Sequence, residues 1–240
     1  MTKRTFSVFG SGEFLPWAVE VDRYALSLAT SGDGSVVVIP TASAMEGDGV
    51  FADWARKGTA HYDSMGVESR ASALKTRADA FDDDHIAQLE GASMFYFSGG
   101  NPAYLSDTLR GSPFWAAISK AVDDGAVIAG CSAGACFLGE VAPNPGANSL
   151  NPEKWSAEGL RMIPKTMFGP HWDMIETWIP GVQDFIRQNT PEDCRLVTLD
   201  ENTAMVGDGA TWRVFGVGTV VIHLDGTSSG PFRDGDKVEF

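Results

Sequence analysis

The sequence predicts an α/β fold: a mostly parallel open sheet with helices on both faces and antiparallel strands toward the C-terminus. Three observations carry this expectation. Short apolar runs alternate with helix-like segments, the mark of crossover connections between parallel strands. The run Val36–Ile39 is apolar at every position, as a strand covered on both faces requires. Residues 196–224 change to short β-like runs separated by glycines, which suits antiparallel additions at a sheet edge.

Taken in order, the first strand falls on Thr5–Phe9, and a helix over residues 17–28 follows it. Between them Gly10-Ser11-Gly12-Glu13 ends the apolar run, which is too short for a signal peptide or a membrane span. Val36–Ile39 is the second strand, and its exit, Pro40-Thr41-Ala42-Ser43, opens on the edge where parallel strands release their loops. A helix over 48–62, a strand over 69–74 and a short helix over 83–89 come next. The apolar run ending at Phe95-Tyr96-Phe97-Ser98-Gly99-Gly100-Asn101 precedes a helix-like segment over 103–109, and Ala126-Val127-Ile128-Ala129 is a further buried strand. Beyond it the pattern lapses, and residues 142–148 read as a loop beside the site. Strands are expected at 196–199, 204–206, 212–217 and 219–224. No linker or internal repeat divides residues 1–240, so one α/β domain is expected.

A net charge of -14 argues against a nonspecific nucleic-acid binder, which needs a basic stripe to displace counterions, and against docking on an anionic membrane. Cys131, Cys136 and Cys194 are odd in number and lack metal-ligand spacing. Free thiols in a cytoplasmic protein, with no metal, are the expectation.

The chemistry concentrates at Gly130-Cys131-Ser132-Ala133-Gly134, where an apolar strand turns sharply into a small-residue helix. The glycines leave room for the reversal, and Ser132 projects alone as a candidate nucleophile. The Ala133 amide, at the new helix's positive end, faces the place where an oxyanion would form. A second glycine-bearing strand end at Ser98-Gly99-Gly100 is placed to supply another amide. Cys131 stands one position early in this frame and should point into the sheet. Serine needs an imidazole to take its proton. Of four histidines, His61 and His85 read as surface residues. His171 follows Gly169-Pro170 and precedes Trp172, which could shield its ring, and His223 lies in an alternating strand.

Ser98-Gly99-Gly100-Asn101, Gly130-Cys131-Ser132-Ala133-Gly134-Ala135 and the segment from Gly159 to Pro170-His171, with Val37 to Ser43 before and Leu199 to Ala204 after, resemble the S51-type serine peptidases. These include dipeptidase E (aspartyl dipeptidase) and cyanophycinase. The resemblance implies a class I glutamine-amidotransferase-like fold with no cofactor, small peptides as substrate, and is compatible with a homodimer. Carried over by position, Ser132 is the nucleophile, His171 the base, and the Gly100 and Ala133 amides the oxyanion hole. The cyanophycinase-like pattern makes Glu201 the acid. The dipeptidase E pattern wants an aspartate between serine and histidine, yet residues 133–170 hold only Glu140, Glu153 and Glu158, so Glu201, Asp200, Glu153 and Glu140 all stay open. Asn101-Pro102 stands where cyanophycinases tend to carry Asp-Gln, which counts against cyanophycin. A dipeptidase E-like preference for aspartate would need a cation, for which Arg161 and Lys165 are the candidates. Asn101 either contacts substrate or caps the next helix.

Two readings from other classes compete. An α/β-hydrolase esterase would use Ser132, Asp200 and His223 in that chain order. A catalytically silent binding module would keep the fold without the chemistry.

Overall fold

The computed structural model describes residues 3–145 and 150–240. In chain order its strands are β1 (Thr5–Phe9), β2 (Val36–Ile39), β3 (Ser69–Ala71), β4 (Met94–Phe97), β5 (Val127–Cys131), β6 (Val141–Pro143), β7 (Ser156–Glu158), β8 (Thr166–Gly169), β9 (Arg195–Leu199), β10 (Thr203–Gly207), β11 (Thr211–Gly216), β12 (Val220–Leu224), β13 (Thr227–Phe232) and β14 (Lys237–Glu239). Eight of them form the main sheet, ordered β14-β11-β10-β1-β5-β4-β2-β3. The five from β1 to β3 run parallel, while β10, β11 and β14 add antiparallel on the other side of β1.

Period-two alternation sorts the parallel strands into two cores. Val37, Ile39, Phe95, Phe97 and Ile128 face one layer of helices. Val36, Val38, Tyr96, Ala129 and Cys131 face the other. Both faces of the central strands are therefore dry, which is why β2, β4 and β5 carry hardly a polar residue. Helix starts follow local chemistry: Ser112 accepts from the Trp115 amide at 3.1 Å and Asn101 from the Tyr104 amide at 3.0 Å, each just before a proline that needs no hydrogen-bond partner.

Several expectations change here. Residues 196–199 and 220–224 do not extend the main sheet. They belong to β9 and β12 of a second sheet, ordered β13-β12-β9-β8, in which only β8 and β9 are parallel. Ala142 and Pro143, expected in a loop, pair with β7, while residues 146–148 lie outside the described residues. Helices at Pro113–Asp123, Trp172–Trp178 and Val182–Gln188 were not anticipated. No helix among the described residues is long and apolar enough to cross a membrane.

The glycines around Ser132 are required by packing. A Cβ on Gly130 would strike the Gly134 carbonyl, and one on Gly134 would strike the Phe97 carbonyl of β4. The short helix Ala133–Cys136 thus lies directly on two strand ends. Gly134→Ala is expected to cost about 1–3 kcal/mol through overpacking, read as a lowered Tm in thermal unfolding.

Candidate active site

Loops leaving the carboxyl ends of β1, β4 and β5 meet at one edge of the main sheet, and β8 and the β9–β10 connection bring two more segments to it. Ser132 sits at the exit of β5 with φ 52° and ψ -107°, a backbone state that few non-glycine residues adopt. Its amide donates to the Phe9 carbonyl at 3.1 Å, and its carbonyl accepts from the Ala135 and Cys136 amides at 3.0 Å. The strained turn is therefore held from both sides.

His171 follows β8 in the left-handed region, φ 54°, and its carbonyl opens the helix Trp172–Trp178 by accepting from the Ile175 amide at 2.7 Å. Its Nε2 lies 2.8 Å from Ser132 Oγ. Its Nδ1 lies 2.9 Å from Glu201 Oε1. An ionised Glu201 can only accept, so it takes the Nδ1 proton, leaving Nε2 to accept from the serine hydroxyl. Glu201 is held in turn by its own amide, which donates to Asp173 Oδ1 at 2.8 Å. A tryptophan does cover the His171 ring, but it is Trp178, 5.2 Å away between centroids. Trp172 is buried beneath, against Gly169 and His223.

The other carboxylates are engaged elsewhere. Asp200 Oδ2 accepts from the Thr219 amide at 2.9 Å and from its hydroxyl at 2.6 Å. Glu140 pairs with Arg161 at 2.8 Å and accepts from the Lys165 amide at 2.9 Å. Glu153 is exposed in the first turn of the short helix Pro152–Trp155. Arg161 and Lys165, expected near the substrate, are not brought to this edge. Lys165 precedes β8, so the whole strand separates it from His171, and Arg161 is tied to Glu140. His223 Nδ1 bonds Ser228 Oγ at 2.8 Å on β12, which leaves the Ser132, Asp200 and His223 combination unassembled. His61, read as a surface residue, is buried against Asp22 at 2.8 Å.

Gly100 has φ 139°, and a Cβ there would run into the Ala42 carbonyl, so the loop tolerates glycine alone. Among the described residues no acceptor pairs with the Gly100 or Ala133 amide. Asn101 Oδ1 caps the helix Pro102–Leu109, while Nδ2 donates to Asn144 at 3.1 Å.

A crevice of about 900 Å³ opens beside this group, lined by Glu13, Phe14, Trp54, Lys57, His171 and Glu201 among others. Sequence reading missed its wall, the Gly10 to Phe14 loop after β1. Ser11 Oγ accepts from the Asn202 amide at 3.1 Å, and Phe14 is left-handed at φ 64°. The available signal was the glycine pair ending an apolar strand, the same signal used at Gly99-Gly100.

Cys131 is fully buried, and burial, reinforced by the neighbouring Glu13 carboxylate, pushes its thiol well above the ordinary range. Above its ordinary pKa a thiol would ionise, but here the proton stays on through neutral and mildly basic pH. Iodoacetamide at pH 8 is therefore expected to leave activity intact, measured as residual hydrolysis after incubation.

An open α/β sheet with a strained serine elbow, an imidazole and a carboxylate in series, and two unpaired amides define the serine-hydrolase class of site. Within it, the chain belongs to peptidase family S51, whose family model matches residues 8–215. The crystal structure of a peptidase from an acI-B1 actinobacterium is 31% identical with a TM-score of 0.90, covering 99% of this chain and 97% of that one. A crystal structure from Listeria monocytogenes EGD-e, 16% identical with a TM-score of 0.61 over 90% of this chain and 100% of that one, speaks to the fold alone. Cyanophycinases of Synechococcus elongatus and Thermosynechococcus vestitus are 29% identical over 154 residues, 61% of this chain. The match spans 46% of the length of those relatives.

Proposed function

We propose that this chain is a serine peptidase that hydrolyses small peptides in the manner of dipeptidase E, with Ser132 as nucleophile, His171 as general base and acid, and Glu201 as the orienting carboxylate. The observation that carries this reading is the unbroken series Ser132 Oγ, His171 and Glu201, linked at 2.8 and 2.9 Å. Membership of a peptidase family supports it.

In the proposed reaction Ser132 Oγ attacks the scissile carbonyl carbon as its proton passes to His171 Nε2. The oxyanion is met by the Gly100 and Ala133 amides. The C–N bond then breaks, His171 returns the proton to the leaving amine, and an acyl-enzyme remains. Water, deprotonated by His171, attacks the ester, and the proton returns to Ser132 Oγ as the acid departs. Glu201 keeps the imidazole in the tautomer this requires. No step calls on a metal, and no group of three or more metal-ligating side chains occurs among the described residues.

The test is hydrolysis of a panel of dipeptides including Asp-X, Gly-X and β-Asp-Arg by wild type and Ser132→Ala, reading released amines. Release by wild type that persists in the variant would refute the mechanism. A cyanophycinase-like activity is the second reading, favoured by the relatives that carry that name. It requires β-Asp-Arg to be the preferred member of the panel. Asn101 is assigned to shaping the Gly100 loop, since its side chain is spent on a helix cap and on Asn144. The three free cysteines support a reducing compartment such as the cytoplasm.

A further inference from the structure

The crevice beside the catalytic group has apolar walls. The β1 exit loop brings Phe14, Leu15 and Pro16 to it, the helix Ala18–Ser27 brings Val19, and the helix Asp48–Ser64 brings Trp54 and Ala60. Trp54, Lys57 and His61 stand three and four residues apart and so share one helix face, with the rings of Trp54 and Phe14 6.3 Å apart between centroids. Phe14 is held in the left-handed region at φ 64°, a costly state for a bulky residue, by ring contacts with Tyr96 at 4.9 Å and His61 at 5.7 Å. Gly58 lets the helix settle onto it, since a Cβ there would stand 2.6 Å from Val38 and 3.1 Å from the Phe14 ring. Leu15, 48% exposed, and half-buried Trp54 leave this wall open to water, an apolar surface that no described residue covers.

The charges of the crevice do not suit an ionic side chain. Arg56 and Lys57 both engage Asp53 of their own helix, at 2.5 and 2.8 Å, and Lys57 lies over the Trp54 ring at 4.9 Å. His61 is paired with Asp22 and His171 with Glu201. A carboxylate entering here would lose water beside Glu13 and Glu201, with no uncommitted cation among the described lining residues, and an unpaired buried charge is costly. An ammonium or guanidinium would meet Arg56 and Lys57 along the helix wall. Glu13, 8% exposed, already accepts from the Gly99 amide at 3.1 Å and the Cys131 thiol at 2.9 Å. An apolar side chain meets none of these costs and gains from the area it removes from water. The crevice also adjoins the reacting groups: His171 and Glu201 line it, and Glu13 and Ser132 flank Gly99, where a Cβ would stand 3.3 Å from Glu13 Oε1 and 3.6 Å from Ser132 Cβ.

We propose that this crevice receives one large apolar side chain next to the scissile bond, so that the enzyme prefers peptides carrying a leucine- or phenylalanine-like residue there to peptides carrying aspartate or lysine. This rests on the serine-peptidase reading above and names its substrate class. Trp54 and Leu15 are the specificity-determining residues: the indole supplies contact area to an aromatic or branched side chain, and Leu15 excludes water at the exposed rim. Selection is by area removed from water, with no charge matched.

The experiment measures kcat/KM for two dipeptide series, X-Ala and Ala-X with X as Phe, Leu, Ala, Asp or Lys, using wild type, Trp54→Ala and Leu15→Arg. Wild type is expected to favour Phe and Leu over Asp and Lys by about 10–100-fold at one of the two positions, the discrimination that burial of an apolar side chain supplies. Trp54→Ala should lower kcat/KM for the preferred Phe substrate by about 10-fold and for its Ala counterpart far less. Leu15→Arg, a change at an exposed residue, places a cation at the rim and should raise Asp relative to Phe by about 2–5-fold. Labelling of Ser132 by a fluorophosphonate, which brings no amino-acid side chain, reports the nucleophile separately and should fall less in both variants than hydrolysis of the Phe substrate. A wild type that labels, yet cleaves Phe and Leu peptides no faster than Asp or Lys peptides at either position, overturns the proposal while the peptidase reading stands. So does a Trp54→Ala variant slowed equally on every X, the result expected if the indole only steadies its helix. A folded wild-type protein that neither cleaves any peptide nor labels would overturn the peptidase reading itself.

Discussion

Ser132→Ala is expected to reduce kcat by about 10⁴–10⁶-fold while the protein folds normally, because a catalytic series that acts as a unit fails when its nucleophile is removed. The residual rate over water would come from the two amides and from binding, which the substitution leaves in place. Alanine also suits the short helix that follows, and it removes only a hydroxyl whose partner is His171 at 2.8 Å. Far-ultraviolet circular dichroism and Tm should therefore match wild type, with dipeptide hydrolysis and fluorophosphonate labelling both abolished. A variant retaining more than a few per cent of activity would transfer the nucleophile elsewhere. Cys131 is no substitute, since its thiol is buried and turned into the opposite core.

The second large effect is expected from Glu201→Gln. The amide is close in shape, but it can present an N–H to His171 Nδ1, which favours the tautomer whose Nε2 carries the proton and cannot accept from Ser132. It also removes the charge that stabilises the imidazolium formed during attack. A fall in kcat of about 10²–10⁴-fold with KM little changed is the expected outcome. The lower part of that range is favoured because the Glu201 side chain is 32% exposed, so water screens part of its field. Steady-state kinetics on a good dipeptide substrate measure it. Asp200→Asn should behave differently: its carboxylate clamps Thr219, so the change should appear in stability more than in kcat.

The two effects differ in how far the sequence could anticipate them. Ser132 and its glycines were legible because a strand that reverses into a helix imposes local steric demands, and only a few residue types satisfy them. The parallel strands were legible for a similar reason, since burial on both faces demands runs such as Val36–Ile39. Glu201 was not separable from Asp200 by residue type, because adjacent acids in a tight connection differ only in the direction they point. Backbone turning after β9 sends Asp200 toward Thr219 and Glu201 toward His171. The split of residues 196–224 between two sheets was equally hidden: β9 and β12 pair with each other, β10 and β11 with the main sheet, yet each pair joins one strand buried almost throughout to one that alternates, so residue pattern does not separate them.

Arg161 and Lys165 show the same limit from the other side. Proximity in sequence to His171 suggested proximity to substrate, but a strand carries residues about 3.3 Å apart along its axis, so β8 moves His171 to one edge and leaves Lys165 at the other. Glu13 shows it again, since nothing in its neighbours marks it as buried, and its contacts come from Gly99 and Cys131, far along the chain.

By itself the sequence determined the buried parallel strands β1, β2, β4 and β5, where the backbone must reverse after β4 and β5, and that a serine stands on the tightest reversal. Those properties follow from side-chain shape and burial over a few neighbouring residues. Only the tertiary structure decided which histidine and which carboxylate meet that serine, and that a buried glutamate faces the same space. Such meetings depend on where β1, β8 and the β9–β10 connection end relative to β5, a geometry set by long-range sheet pairing rather than by any local run of residues.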